Sequence, residues 1–171
     1  MVNRKTRRAL RRLLTTVPGL YPVLAFVCAR RVTIRGWSMY PAVRPGEAAL
    51  FDRLAYVRSR PRRGDIVLAK HPARPGLRLV KRVAGAPGDA VPRGRDGPPG
   101  RLYAPDSPTL GRGEYWLLGD NADLSTDSRQ LGVFRREDIL ARGWLVYWPP
   151  ERFRALNRNR SSCSCPPQEG A

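Results

Sequence analysis

Two polar side chains have types and neighbours that could make them a catalytic pair. They are Ser38, in Gly36-Trp37-Ser38-Met39-Tyr40-Pro41, and Lys81, in Val80-Lys81-Arg82-Val83. A serine hydroxyl is a poor nucleophile until a base takes its proton. The usual base is histidine, but the chain has a single one, His71, directly before Pro72 in a loop where it is expected to be solvated. A lysine amine can do the same work when it is neutral, which a dry apolar setting favours. Lys81 follows Leu77-Arg78-Leu79-Val80 and precedes Val83 and Ala84, the pattern of a strand with one half-buried face. On these grounds alone the pair is a weak signal, because a Gly-x-Ser-x-x-Pro turn is ordinary loop chemistry and a strand lysine usually points to solvent.

A third stretch changes that weight: Gly119-Asp120-Asn121-Ala122-Asp123-Leu124-Ser125-Thr126-Asp127-Ser128-Arg129-Gln130-Leu131-Gly132. Four boxes in order, Ser38 to Pro41, Gly64 to Val67, Lys81 to Asp89 and Gly119 to Gly132, resemble those of the bacterial type I signal peptidases, which are membrane-bound Ser/Lys endopeptidases. The resemblance covers roughly residues 30 to 150. It implies a mostly-β fold of coiled antiparallel sheets on a single N-terminal apolar helix. It also implies that Ser38 is the nucleophile and Lys81 the general base, with no metal and no cofactor. Ser125 matches the position whose hydroxyl binds the catalytic lysine, and Asp127 and Arg129 match a supporting ion pair. Asp120 is a candidate partner for Arg82. The chain departs from many relatives at two points. Gly36 stands where some carry an oxyanion-binding serine, so the oxyanion is expected to rest on backbone N–H groups, that of Ser38 first. Ala122 stands where many have a basic residue, so any contact made there is absent.

The elements that must position these residues are short. Seventeen prolines and sixteen glycines favour strands and turns over helices. Strands are expected at Val32 to Ile34, Ala48 to Phe51, Ile66 to Ala69, Leu77 to Ala84, Tyr115 to Leu118 and Gly143 to Trp148, with a further short apolar piece at Leu54 to Val57. Val133 to Leu140 reads as a turn and short helix. Residues 92 to 113 are the loosest part, with a short strand at Arg101 to Tyr103. Trp37, Met39 and Tyr40 suit either core packing or an apolar rim near a bilayer, where Trp and Tyr are favoured. Asp89 reads as a turn-forming acid rather than an arginine's partner.

The flanks set the organisation: a basic segment at 1–12, an apolar run at 13–29, a peptidase domain at 30–150 ending at Pro149-Pro150, and a basic tail at 151–171, expected to be disordered beyond about Asn157. The first segment holds Arg4, Lys5, Arg7, Arg8, Arg11 and Arg12. The run Leu13 to Ala29 would be about 26 Å long as a helix, slightly short of a hydrocarbon core of about 30 Å. A cleaved signal, a buried helix and an uncleaved anchor compete for it. The resemblance favours the anchor, with the N-terminus in the cytoplasm and the peptidase domain on the extracytoplasmic side of the cytoplasmic membrane. The net charge of +18 suits membrane lipids better than nucleic acid, since no helix-turn-helix, zinc finger or RNA-binding signature accompanies it. Cys28, Cys163 and Cys165 carry no assigned role, and Cys163-Ser-Cys165 would make a strained disulfide. The expected substrates are exported precursor proteins with small residues before the cut. The alternatives are a dedicated maturation peptidase for one precursor, or a LexA-like self-cleaving regulator, for which some thirty apolar and basic residues could not supply the DNA-binding domain.

Overall fold

A computed structural model describes residues 20–91 and 108–157. The described residues begin with the helix α1 (Leu20–Val27), followed by strand β1 (Arg30–Thr33). Then come β2 (Ala48–Asp52), α2 (Ala55–Arg58), β3 (Ile66–Lys70), β4 (Arg78–Gly85), β5 (Glu114–Leu118), α3 (Ser128–Leu131), β6 (Phe134–Arg135), β7 (Ile139–Trp148) and β8 (Arg154–Ala155). The strands form a sheet in the order β1-β2-β7-β3-β4-β5-β6, with β8 alongside β7, and every pairing is antiparallel. The architecture is thus mostly β, as the resemblance implied and the turn-rich composition permits.

The sheet folds over on itself, and β3 shows how. Side chains alternate between the two faces of a strand. Ile66 and Leu68 enter one apolar core with Met39, Val43, Phe51 and Val146. Val67 and Ala69, between them, enter a second with Val83, Tyr115, Leu117 and Phe134. A strand buried on both faces reads as a continuous apolar run, which is what Ile66-Val67-Leu68-Ala69 is. Register shifts in the β2–β7 pairing, between Ala48 and Ala49 and between Leu50 and Phe51, supply the bending. Gly64, at a φ of 87°, closes the turn that delivers the chain into β3.

Three expectations change. Leu54 to Val57 contributes to the helical turn α2, and Val133 to Leu140 begins as strand β6, followed by a 3₁₀ turn at Arg136–Asp138. The fold also runs past Pro149-Pro150. β8 pairs with β7, and the Asn157 side chain accepts from Ile66 N at 2.8 Å and donates to Gly143 O at 2.6 Å. The rest of the expected disordered tail, the strand at 101–103 and residues 13–19 of the apolar run lie outside the described residues. The described part of that run is the eight-residue α1, about 12 Å long. No helix among the described residues is long and apolar enough to cross a membrane.

Candidate active site

Lys81 lies on the face of β4 that carries Leu79 and Val83 into the second core, and it is only 2% exposed. Its Nζ donates to Ser125 Oγ at 3.0 Å, and Ser125 Oγ donates to Asp127 Oδ2 at 2.6 Å. Asp127 is fully buried and also accepts from Gly119 N at 2.9 Å, from Arg129 Nη2 at 2.8 Å and from Arg129 Nε at 2.9 Å. It caps α3 as well, where its own N–H donates to Gln130 Oε1. Burial alone would raise the Asp127 carboxyl, but the hydrogen bonds from Arg129, Gly119 and Ser125 outweigh it, and its pKa is lowered. Burial dominates at Lys81, and its pKa falls to about 8.

The direction of these bonds has a chemical consequence. An ionised carboxylate only accepts, so the single Ser125 hydroxyl proton goes to Asp127. Ser125 Oγ must then receive an N–H from Lys81. A neutral Lys81 amine held this way keeps its lone pair free.

Ser38 is half-buried at the start of a turn held mainly by backbone bonds. Tyr40 N donates to Trp37 O at 3.0 Å, Val43 N to Met39 O at 2.8 Å, and Asn121 N to Ser38 O at 3.0 Å. Gly119 permits that last contact. A Cβ at Gly119 would stand 2.5 Å from Ser38 O and would overlap the Ser125 side chain. Ser38 and Lys81 open into one cleft of about 670 Å³, walled by Thr33, Gly36, Met39 and Val80 among others. The three residues around Ser38 divide: Met39 is core, at 1% exposed, whereas Trp37 and Tyr40 are exposed and pack edge-to-face at 5.7 Å.

Arg82 points to the other face of β4. Its Nε and Nη2 each meet an Asp120 carboxylate oxygen at 2.7 Å, and Nη1 reaches Gly64 O. Of the charges bearing on Lys81, Asp127 raises its pKa and Arg129 lowers it, and burial outweighs both. Arg129 also donates to Ala122 O, so position 122 contributes its carbonyl and no charge. His71 is engaged in its own loop, its Nδ1 accepting from Ala73 N and Arg74 N. Asp89 does both things weighed for it: it accepts from Ala86 N at 2.8 Å and lies 3.7 Å from Arg63 Nε. Cys28 is a free, exposed thiol.

Sequence reasoning missed three supports. Ser128 Oγ accepts from Leu117 N and ties α3 to β5. Asn121 reaches the serine turn through its backbone. Glu47, 1% exposed, receives Arg154 at 2.6 and 3.0 Å and Arg44 N at 2.9 Å, while Arg154 also donates to Ala42 O at 2.6 Å. That clasp closes the turn Ala42 to Glu47 just after the serine.

Comparison with known proteins adds to this geometry. The profile of the family described as signal peptidase, peptidase S26, matches residues 7–108 and 99–148. The chain is 36% identical over 132 residues to mitochondrial inner membrane protease subunit 1 of Xenopus tropicalis, covering 75% of this chain and 74% of that protein. It is 31% identical over 148 residues to mitochondrial inner membrane protease subunit 2 of Mus musculus, covering 84% and 79%. It is 30% identical over 166 residues to signal peptidase I of Leptolyngbya laminosa, covering 81% and 80%.

Proposed function

The chain belongs to the signal peptidase family, peptidase S26, and is a serine endopeptidase; from that premise we propose that it removes leader segments from exported precursor proteins by a Ser38/Lys81 dyad. Neutral Lys81 takes the Ser38 hydroxyl proton as Oγ attacks the scissile carbonyl. The Ser38 N–H steadies the oxyanion. As the tetrahedral adduct collapses, Lys81 returns the proton to the departing amine, leaving an ester on Ser38. Water then attacks that ester, giving its proton to Lys81, and Ser38 leaves with a proton restored. Ser125 orients the amine, with Asp127 and Arg129 fixing Ser125, while the Arg82–Asp120 pair ties β4 to the following loop.

The observation that carries this reading is the buried amine of Lys81, hydrogen-bonded to Ser125 at 3.0 Å and opening into the same cleft as Ser38. The cleft also runs along β1, whose outer edge has no strand partner in the described sheet. An extended peptide could add there. The same proposal places an uncleaved anchor at 13–29, of which α1 is the described part, and the peptidase domain from residue 30 outside the cytoplasmic membrane.

The test is incubation of membranes holding wild type or Ser38→Ala with a panel of precursor proteins. Wild type should shorten at least one, stay with the membrane in a carbonate wash, and lose all processing in the mutant. Processing by Ser38→Ala would remove the assignment.

A further inference from the structure

The two strand ends that form the walls of the cleft bring four arginines to its lining. Arg30, Arg31 and Arg35 come from β1 and the segment after it, and Arg78 comes from the start of β4. No carboxylate lines this cleft, and none of the four makes an ion pair or a side-chain hydrogen bond among the described residues. Elsewhere in the described fold several acids are taken: Glu47 by Arg154, Asp65 by Arg142, Asp120 by Arg82 and Asp127 by Arg129. The crowding is real electrostatically, since burial, Arg78 and Arg53 all push the Arg30 guanidinium down. Unpaired like charges kept together in a cleft are a binding device for the opposite charge.

Position narrows the ligand. β1 and β4 run in the same direction, because an odd number of strands (β2, β7 and β3) separates them in an antiparallel sheet. Both therefore lead toward the catalytic end of the cleft. Arg78 precedes Lys81 by three residues, or about 10 Å of extended strand. An extended substrate in the same cleft covers that distance with about three residues.

We propose that Arg30 and Arg78 form a subsite that selects substrates carrying an acidic side chain three to four residues from the cleaved bond. This rests on the endopeptidase reading above and deepens it. A carboxylate held between two guanidinium groups accepts several charge-assisted hydrogen bonds and relieves the repulsion between them. Arg30 and Arg78 line the same cleft as Ser38 and Lys81, which favours a substrate side chain over a lipid headgroup.

The test measures binding to the full-length Ser38→Ala protein by fluorescence anisotropy. The probes are ten-residue peptides with alanine at the position before the intended cut and one glutamate moved among the other positions, so that net charge is constant. Glutamate three or four residues from the cut, on one side of it, should bind about three- to tenfold tighter than glutamate at the far end. Arg30→Glu and Arg78→Glu should each remove that difference, and Arg112→Glu, an exposed charge elsewhere, should keep it. Equal affinity at every position would overturn the subsite and leave only bulk attraction to a basic protein. So would Arg78→Glu weakening binding to phosphatidylglycerol vesicles while peptide affinity stays unchanged. Cleavage by the wild type separates this from the reading beneath it. Peptides bound with the position dependence but never cut would remove the reaction and keep the subsite; peptides cut regardless of position would do the reverse.

Discussion

The two halves of the site are built in opposite ways. Around Lys81 every polar atom is assigned: Ser125 to the amine, Asp127 to Ser125, and Arg129 with Gly119 to Asp127, all but Gly119 and Arg129 in full burial. Around Ser38 the support is backbone, a glycine with open space beside it, two exposed aromatic rings and an open cleft. The difference follows from what each group must do. A lysine serves as a base only if its charge is suppressed, which takes burial on all sides. A serine needs only to be held where a substrate carbonyl can reach it.

The largest effect should come from the buried half. Lys81→Met should lower the acylation rate by roughly 10²–10⁴-fold, the size of a lost general base. In the wild type that rate should rise with pH through about 8, as the amine loses its proton, and the mutant should show no such rise. Stability gives an independent check. The folded pKa lies below the free value of 10.5, so the folded state holds fewer protons than the unfolded chain between about 8 and 10.5. Stability should climb with pH across that window, by roughly 3 kcal/mol, and denaturant titrations of Lys81→Met should be flat there. A pH profile that tracks His71 instead would break the contrast at its base.

Asp127→Asn comes next. An amide nitrogen would face donors at one of two oxygens that now receive only hydrogen bonds, and Arg129 would lose its counter-charge. About 3–5 kcal/mol of stability should go, read as a lowered Tm at neutral pH. Because the Asp127 pKa is lowered in the fold, this stabilisation is present above the usual carboxylate range and is lost as pH falls below it. The gap between mutant and wild type should therefore narrow in acid. An unchanged Tm would mean the brace is dispensable.

Much of this division was readable in the sequence. Leu79, Lys81 and Val83 alternate, so the burial of Lys81 follows from strand periodicity, and the run Ile66 to Ala69 announces a strand covered on both faces. The clasp of Glu47 by Arg154 was not readable, because the partners stand 107 residues apart and nothing local marks either. The fold was expected to end at Pro149-Pro150 for the same reason: Arg154 and Asn157 are polar residues whose partners lie far away in sequence. Val133 to Leu140 misled because its pattern fits a helical turn, whereas pairing of Tyr115 with Phe134 draws its start into the sheet. Within the site, the facing of Arg82 was knowable from alternation, but its neutralisation by Asp120 depends on a loop whose path no local rule fixes.

The smallest effect tests the sparse half. Gly36→Ser should fold normally, since a Cβ there meets nothing within 4 Å. It should raise kcat by about tenfold if the new hydroxyl reaches the oxyanion, short of the 10²–10³ that removing a settled donor costs. No gain, with an unchanged Tm, would show that the backbone already supplies all the stabilisation the serine side can use.

The clasp between Glu47 and Arg154 also sets an order in time. A chain emerging from the ribosome presents Ser38, Lys81 and Asp127 well before Arg154 exists. Until that arginine arrives, Glu47 is a carboxylate without its arginine partner and resists burial. The clasp beside Ser38 can therefore close only after nearly all of the described fold has been made.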